Sequence, residues 1–302
     1  MTEGSRKAII AAFVANLGIA ISKFVAFAIT GSAGLLAESV HSLADTGNQG
    51  LLFLGARRAE REATAEHPFG FGRERYFWAF VVAVVLFTLG GAFAIYEGVD
   101  KLRHPHAPES LGWAVGVLLA AMVMETLSFR TAINEANRTR RGQPWARFIR
   151  RTKAPELPVV LLEDFGALVG LMFALAGVVL ANATGNARFD AAGSLAIGML
   201  LCVIAALLAI EMKSLLIGEA ARPHMAAEIS AAIEGHPLVH RLIHMRTEHL
   251  GPEELLVAAK LEFDATLTLR ELAHAIDDVE RVVRERVPEA RLIFLEPDYF
   301  RG

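Results

Sequence analysis

Cysteine is nearly absent. Cys202 stands alone in 302 residues, so neither an intrachain disulfide nor a cysteine metal cluster can form. It lies in an apolar run, where a lone cysteine reads as a small packing residue. No basic face carries interleaved aromatics, which removes the usual footprint of a nucleic-acid-binding protein. Low-complexity tracts are lacking. So are His-Glu-x-x-His and Gly-x-Ser-x-Gly, the short signatures of metal-dependent proteolysis and of a hydrolase nucleophile. What the chain has in quantity is apolar side chains. Hydrophobic residues make up 54% of it, a share that points to a polytopic membrane protein. The net charge of −3 is unevenly spread: arginine clusters in two internal loops and acids dominate the last third.

An apolar helix of about 20 residues crosses the ~30 Å hydrocarbon layer. Six segments qualify: Ala8–Thr30, Gly34–Leu54, Tyr76–Tyr96, Leu111–Leu127, Val159–Ala181 and Ala191–Ile217. Arg6 and Lys7 precede the first, as in a signal peptide. That stretch nevertheless exceeds the usual ~7–15 apolar residues of one, and no clear cleavage site follows, so it reads as a first membrane span. Glu125 lies near the end of the fourth. Arg57, Arg58, Arg61, Arg73 and Arg75 follow the second segment. Arg138, Arg140, Arg141, Arg147, Arg150, Arg151 and Lys153 follow the fourth. The positive-inside rule then places both termini in the cytoplasm. After about Gly218 the pattern changes to helix, strand, strand, helix, strand. A Gly251-Pro252 turn joins the first two strands, and Leu272, Ile276, Val279 and Val283 form one helical stripe. The expected division is a six-helix membrane domain over 1–217 and a small cytoplasmic α+β domain over 218–302.

The second segment is the least apolar, because GLLAESVHSLADTGNQ carries Glu38, His41, Asp45 and Asn48. Their offsets of 3, 4 and 3 put all four on one helical stripe. At membrane depth each unpaired polar group costs of order several kcal/mol. The stripe therefore requires a water-filled cavity or a bound cation, unless His41 and Asp45 hydrogen-bond each other and join helices. An imidazole and a carboxylate at i and i+4 can converge on one ion. Further donors are expected from Glu163 and Asp164 in PELPVVLLEDFGALVG, for which the alternative is a pair of helix-end acids favoured by the dipole. Asn16 and Lys23, with Asp190, rank second. Asp190 reads more simply as a helix N-terminal acid.

Six spans, LLAESVHSLADTGNQ, HPFGFGRERYFW after it, and a C-terminal αββαβ pattern together resemble the cation diffusion facilitator family. The resemblance covers nearly the whole chain. It implies a secondary transporter, not an enzyme, that expels divalent metals, zinc above all, from the cytoplasm in exchange for protons. It further implies a homodimer in the cell's inner or plasma membrane, with a ferredoxin-like cytoplasmic domain and no organic cofactor. The metal is substrate, and the partners are the lipid bilayer, divalent cations, protons and a second copy of the chain.

Carried over residue by residue, the resemblance makes His41, Asp45 and Asp164 metal ligands. The family's fourth position, four residues before Asp164, is Val160, which cannot bind metal. Water, Glu163, Glu38 or Asn48 would complete the site. In the loop after the second segment only His67 matches a second metal site of some members, with Thr64 and Phe71 at the other positions, so no complete site is expected there. In the C-terminal domain, Ile243, Lys260 and Phe294 stand where some relatives bind zinc. His236, His240, His244, His249 and His274 remain available.

One imidazole with two or three carboxylates suits zinc, and also manganese, iron(II) or cobalt. Ligands must shed protons to bind metal, so the two compete for the same atoms. Two other classes fit less well: a non-transporting partner subunit of a heteromeric transporter, favoured by Val160, and a membrane metalloenzyme. A channel is disfavoured, because charged ligands would trap the ion.

Overall fold

The computed structural model describes residues 13–14, 16–22, 24–25, 28, 33–104, 111–140 and 142–301. It divides into two compact units. One is the chain up to Arg58 with Glu74–Lys213; the other is Ala59–Arg73 with the chain from Ser214 onward.

In the first unit the described residues from 13 to 28 are helical. Helix α1 follows over Ala33–Ala59. Helix α2 runs over Glu74–Arg103 and contains a π-helical segment, Leu86–Ala92. Helix α3 is Leu111–Arg140, α4 is the short Trp145–Arg151, α5 is Glu156–Thr184 and α6 is Arg188–Ile217. Among the described residues four stretches are long and apolar enough to cross a membrane: Glu74–Arg103, Ala114–Arg140, Glu156–Thr184 and Arg188–Ile217. They match the third to sixth sequence segments. The first segment is described in part, at residues 13–14, 16–22, 24–25 and 28. The polar stripe of α1 lowers its hydropathy, as its sequence indicates.

Helix ends run past the apolar runs that announce them. Helix α3 continues thirteen residues beyond Leu127 to Arg140, because Glu, Arg, Ala and Asn there sustain a helix as readily as a loop. Arg138 and Arg140 thus fall in its last turn, where cations complement the helix dipole. Helix α5 starts at Glu156, so Pro158 sits in its first turn, where a missing N–H is harmless. Gly185, with φ 67°, caps its other end in the left-handed conformation.

Helices without a water-driven hydrophobic effect associate through close packing, which small residues permit. The π segment of α2 brings Gly91 so close to α6 that an added Cβ would lie 2.6 Å from Cys202 Sγ. Cys202 thereby serves as a packing residue. Gly98 on α2 meets Leu195 of α6 in the same way.

The second unit contains helix α7 (Pro223–Glu234), strand β1 (Val239–Gly251), strand β2 (Glu254–Phe263), helix α8 (Leu269–Arg286) and strand β3 (Ala290–Pro297). The sheet order is β1-β2-β3, with β1–β2 antiparallel and β2–β3 parallel. Alternate residues of β2, Leu255, Val257, Ala259, Leu261 and Phe263, are buried against Ile229 and Ile233 of α7 and Val279 and Val283 of α8. A strict period of two on the strand and 3.6 on the helices places one apolar face on each. Thr268 and Glu271 form a capping box at the start of α8. The Ala59–Arg73 segment closes on this unit through an Arg73–Glu248 ion pair. Gly72 there packs so tightly that an added Cβ would lie 2.7 Å from the Leu250 carbonyl oxygen.

Candidate metal centre

Three helices of the first unit deliver polar side chains to its apolar interior. Asp45, Asn48 and Gln49 come from α1, Glu125 and Ser128 from α3, and Glu163 and Asp164 from α5. All are buried; Asp45 is 8% exposed and Asp164 2%. The start of α5 at Glu156 puts Glu163 and Asp164 about two turns inside the helix. They are therefore not end-of-helix acids stabilised by the dipole.

Both oxygens of Glu163 are engaged. Asn48 Nδ2 donates to Oε1 at 2.7 Å and Gln49 Nε2 donates to Oε2 at 3.2 Å. Asn16 Nδ2 in turn donates to Gln49 Oε1 at 3.1 Å. Asp164 Oδ2 accepts from Ser128 Oγ at 2.9 Å. Glu163 feels the charges of Asp45, Asp164 and Glu125, and Asp164 those of Glu125 and Asp45. Four carboxyl groups that repel one another in a low-dielectric interior can be balanced by a cation or by protons.

His41 and Glu38 lie on α1, but their side chains are outside the described residues, as is Lys23. No three His, Cys, Asp or Glu side chains among the described residues are placed to hold a metal ion. Asp45 and Asp164 are brought into one buried region, and Glu163 is tied to α1 by two amides. Val160 is buried, at 1% exposure, one turn before Asp164.

The second-rank residues go to different places. Asn16 joins the amide chain that ends on Glu163. Asp190 is in the first turn of α6 and pairs with Lys101 Nζ at 3.1 Å. His67 is exposed in the second unit. Its carbonyl accepts from the amides of Thr64 and Gly70, and its ring meets Phe71 at 4.7 Å. In the C-terminal unit His249 is buried, while His240, His244 and His274 are exposed.

Sequence reasoning passed over Gln49, Ser128 and Glu125 as participants. Gln49 adjoins the polar stripe and Glu125 is an acid in an apolar helix, so both carried a signal; Ser128, compatible with any helix, carried none. Glu156 was also missed. It receives Arg75 in a buried ion pair between the starts of α5 and α2.

Comparison with known proteins shows the family to which the chain belongs. The family model of the cation efflux transmembrane domain matches residues 9–217. The proton-coupled zinc antiporter SLC30A9, mitochondrial, of Mus musculus is 32% identical over 270 residues, 89% of this chain and 48% of its own length. Metal tolerance protein C4 of Arabidopsis thaliana is 29% identical, covering 89% of this chain and 59% of its own length. The cation-efflux pump FieF of Pectobacterium atrosepticum is 26% identical over 95% of this chain and 90% of its own length. The chain spans about half the length of the mammalian relatives it matches. With four apolar helices and a family model matched along the whole helical region, the chain is an integral membrane protein and belongs to the cation diffusion facilitator family of cation efflux proteins.

Proposed function

We propose that this protein exports divalent metal ions, zinc foremost, from the cytoplasm in exchange for protons, with manganese, iron(II) and cobalt as further cargo. His41 and Asp45 on α1 and Asp164 on α5 hold the ion. The observation that carries this reading is the burial of Asp45 and Asp164, from two different helices, in one acid-rich region of an apolar unit. Buried acids at membrane depth are costly and mark ion paths. Two relatives support the cargo, one named a proton-coupled zinc antiporter and one a cation-efflux pump.

Glu163 and Asp164 are each held by hydrogen-bond donors from other helices, so ion binding requires Asp45 and Asp164 to turn toward a common point. Metal displaces protons from the donors on the cytoplasmic side, and protons displace metal on the other. We read Ala8–Thr30 and α1 as the first two of six spans, with both termini cytoplasmic. The αββαβ unit is read as a ferredoxin-like cytoplasmic domain, and the working form as a homodimer. The membrane is the cell's inner or plasma membrane, although the mitochondrial relatives also allow an organelle.

Reconstitution into vesicles with an imposed pH gradient tests this. Zinc flux should be accompanied by opposite proton flux, and both should be lost in Asp45→Ala and Asp164→Asn. Undiminished flux in Asp164→Asn would reject the site. A partner-subunit role is favoured by Val160, which leaves the family's fourth ligand position apolar. Rescue of a metal-sensitive strain by this chain alone would exclude it.

A further inference from the structure

We propose that Asn48 determines which cation is carried: its side-chain carbonyl oxygen is a ligand in place of the one that Val160 cannot supply, and Glu163 fixes its orientation. This rests on the reading that Asp45 and Asp164 hold the ion.

The amide's direction follows from hydrogen-bond chemistry. Asn48 Nδ2 donates to Glu163 Oε1 at 2.7 Å, the direction that an ionised carboxylate, which only accepts, requires. Oδ1 must then point elsewhere. It is buried, Asn48 being 2% exposed, and it has no hydrogen-bond partner among the described residues. The other amides are aligned likewise. Asn16 donates to Gln49, and Gln49 donates to the second oxygen of Glu163. The three recorded amide donations thus run toward Glu163, and the two unpaired acceptors lie at the ends of the chain, Asn16 Oδ1 and Asn48 Oδ1. Nearly all buried polar atoms in folded proteins are paired, so an oxygen held unpaired by a built network calls for a ligand.

Position singles out Asn48. It lies three residues after Asp45 on α1, hence on the same helical face. Glu163, to which it is bonded, feels the Asp45 charge. Asn48 therefore shares a helical face with a carboxylate already assigned to the ion. The ligand it selects is a divalent cation tolerant of neutral oxygen donors. An amide oxygen is hard, suits manganese(II) better than zinc, and adds no negative charge. Glu163, both oxygens occupied, acts as a positioning residue.

Purified full-length protein is titrated with Mn(II) and Zn(II) separately. Asn48→Ala should weaken Mn(II) binding by about tenfold or more and Zn(II) binding much less, lowering the Mn/Zn affinity ratio. Glu163→Gln should lower the same ratio, because a glutamine can donate as well as accept and so lets the Asn48 amide turn over. The double variant should show no larger change in ratio than Asn48→Ala alone. An unchanged Mn/Zn ratio in both single variants would overturn the proposal, as would ratio changes that simply add in the double variant. If Asn48→Ala fails to fold, Glu163→Gln carries the test alone. Asp164→Asn separates the two readings: it should lose both metals, and retention of both would reject the ion site itself and not the amide's role within it.

Discussion

Arg75 and Glu156 form a doubly hydrogen-bonded ion pair in the interior of the helical unit. Nε donates to Oε1 at 2.5 Å and Nη2 to Oε2 at 2.9 Å, with both side chains buried. The pair ties the start of α2 to the start of α5, the helix that carries Glu163 and Asp164. The planar fork of arginine matches a carboxylate in a way lysine cannot.

Removing Glu156 takes from the buried Arg75 charge the carboxylate that bonds it twice. Glu156→Ala should cost about 3–5 kcal/mol of stability. Replacing both residues by leucine should restore most of it, because the pair's desolvation penalty disappears with it. Unfolding of the purified protein in detergent measures both. A double variant as unstable as the single one would show that the pair's role lies in packing shape and not in charge.

Ser128 donates to Asp164 from the neighbouring helix and fixes one of its oxygens. Groups that orient a metal ligand typically matter 10–100-fold in affinity. Ser128→Ala should weaken zinc binding by roughly tenfold at neutral pH while leaving the fold intact. Calorimetric titration decides it. Unaltered affinity would mean that Asp164 turns away from Ser128 before it meets the ion.

The C-terminal unit was legible almost element by element. Strand β2 alternates and the helices repeat at 3.6; of the residues picked for the stripe of α8, Val279 and Val283 are buried, and Leu272 and Ile276 are partly buried against the same core. The candidate site was legible only in part. Asp45, Asn48, Glu163 and Asp164 were conspicuous as polar groups in apolar helices. Their partners were not, because Ser128 is 36 residues from Asp164 and Gln49 is 114 from Glu163. Periodicity reports which face of a helix is polar and says nothing of what lies across from it. Glu156 was invisible for a different reason. An acid next to Pro155 at a helix start satisfies the local dipole rule, and only the tertiary fold brings Arg75 to it.

Val160 offers a gain-of-function test. It is buried one turn before Asp164, at i and i−4 on α5, where a carboxylate would share that residue's face. Val160→Asp should tighten zinc binding by about tenfold, a single added charge-assisted ligand, and should slow transport because a tighter ion leaves more slowly. The metal-free variant should be less stable than the parent, and zinc should raise its melting temperature more, since ligand binding stabilises in proportion to the logarithm of concentration over Kd. Equal affinity in parent and variant would show that this face of α5 does not meet the ion.

The C-terminal unit should respond to pH through groups outside the membrane helices. Hydrogen bonds from the Thr268 hydroxyl and backbone hold the Glu271 carboxyl below its ordinary value, and those from Thr266 do the same for Asp264. The Lys260 ammonium lowers Asp298, while Glu296 and Asp298 raise Lys260. A carboxyl group that is depressed in the folded state contributes stability above its unfolded value, near pH 4, and loses it as pH falls through the folded value. A raised lysine contributes below its unfolded value, near pH 10, and loses it as pH rises further. These groups therefore impose no slope between about pH 5 and pH 9, and stability contributed by them declines on either side. Glu271 is exposed and Asp264, Lys260 and Asp298 are partly exposed, so added salt should flatten both declines. Hydrogen exchange of the α8 amides across this range reads the effect locally. Thr268→Ala should raise exchange in the first turn of α8 at pH 7 and remove the part of the acid decline that belongs to Glu271. An acid decline identical in parent and variant would assign it to other carboxyl groups.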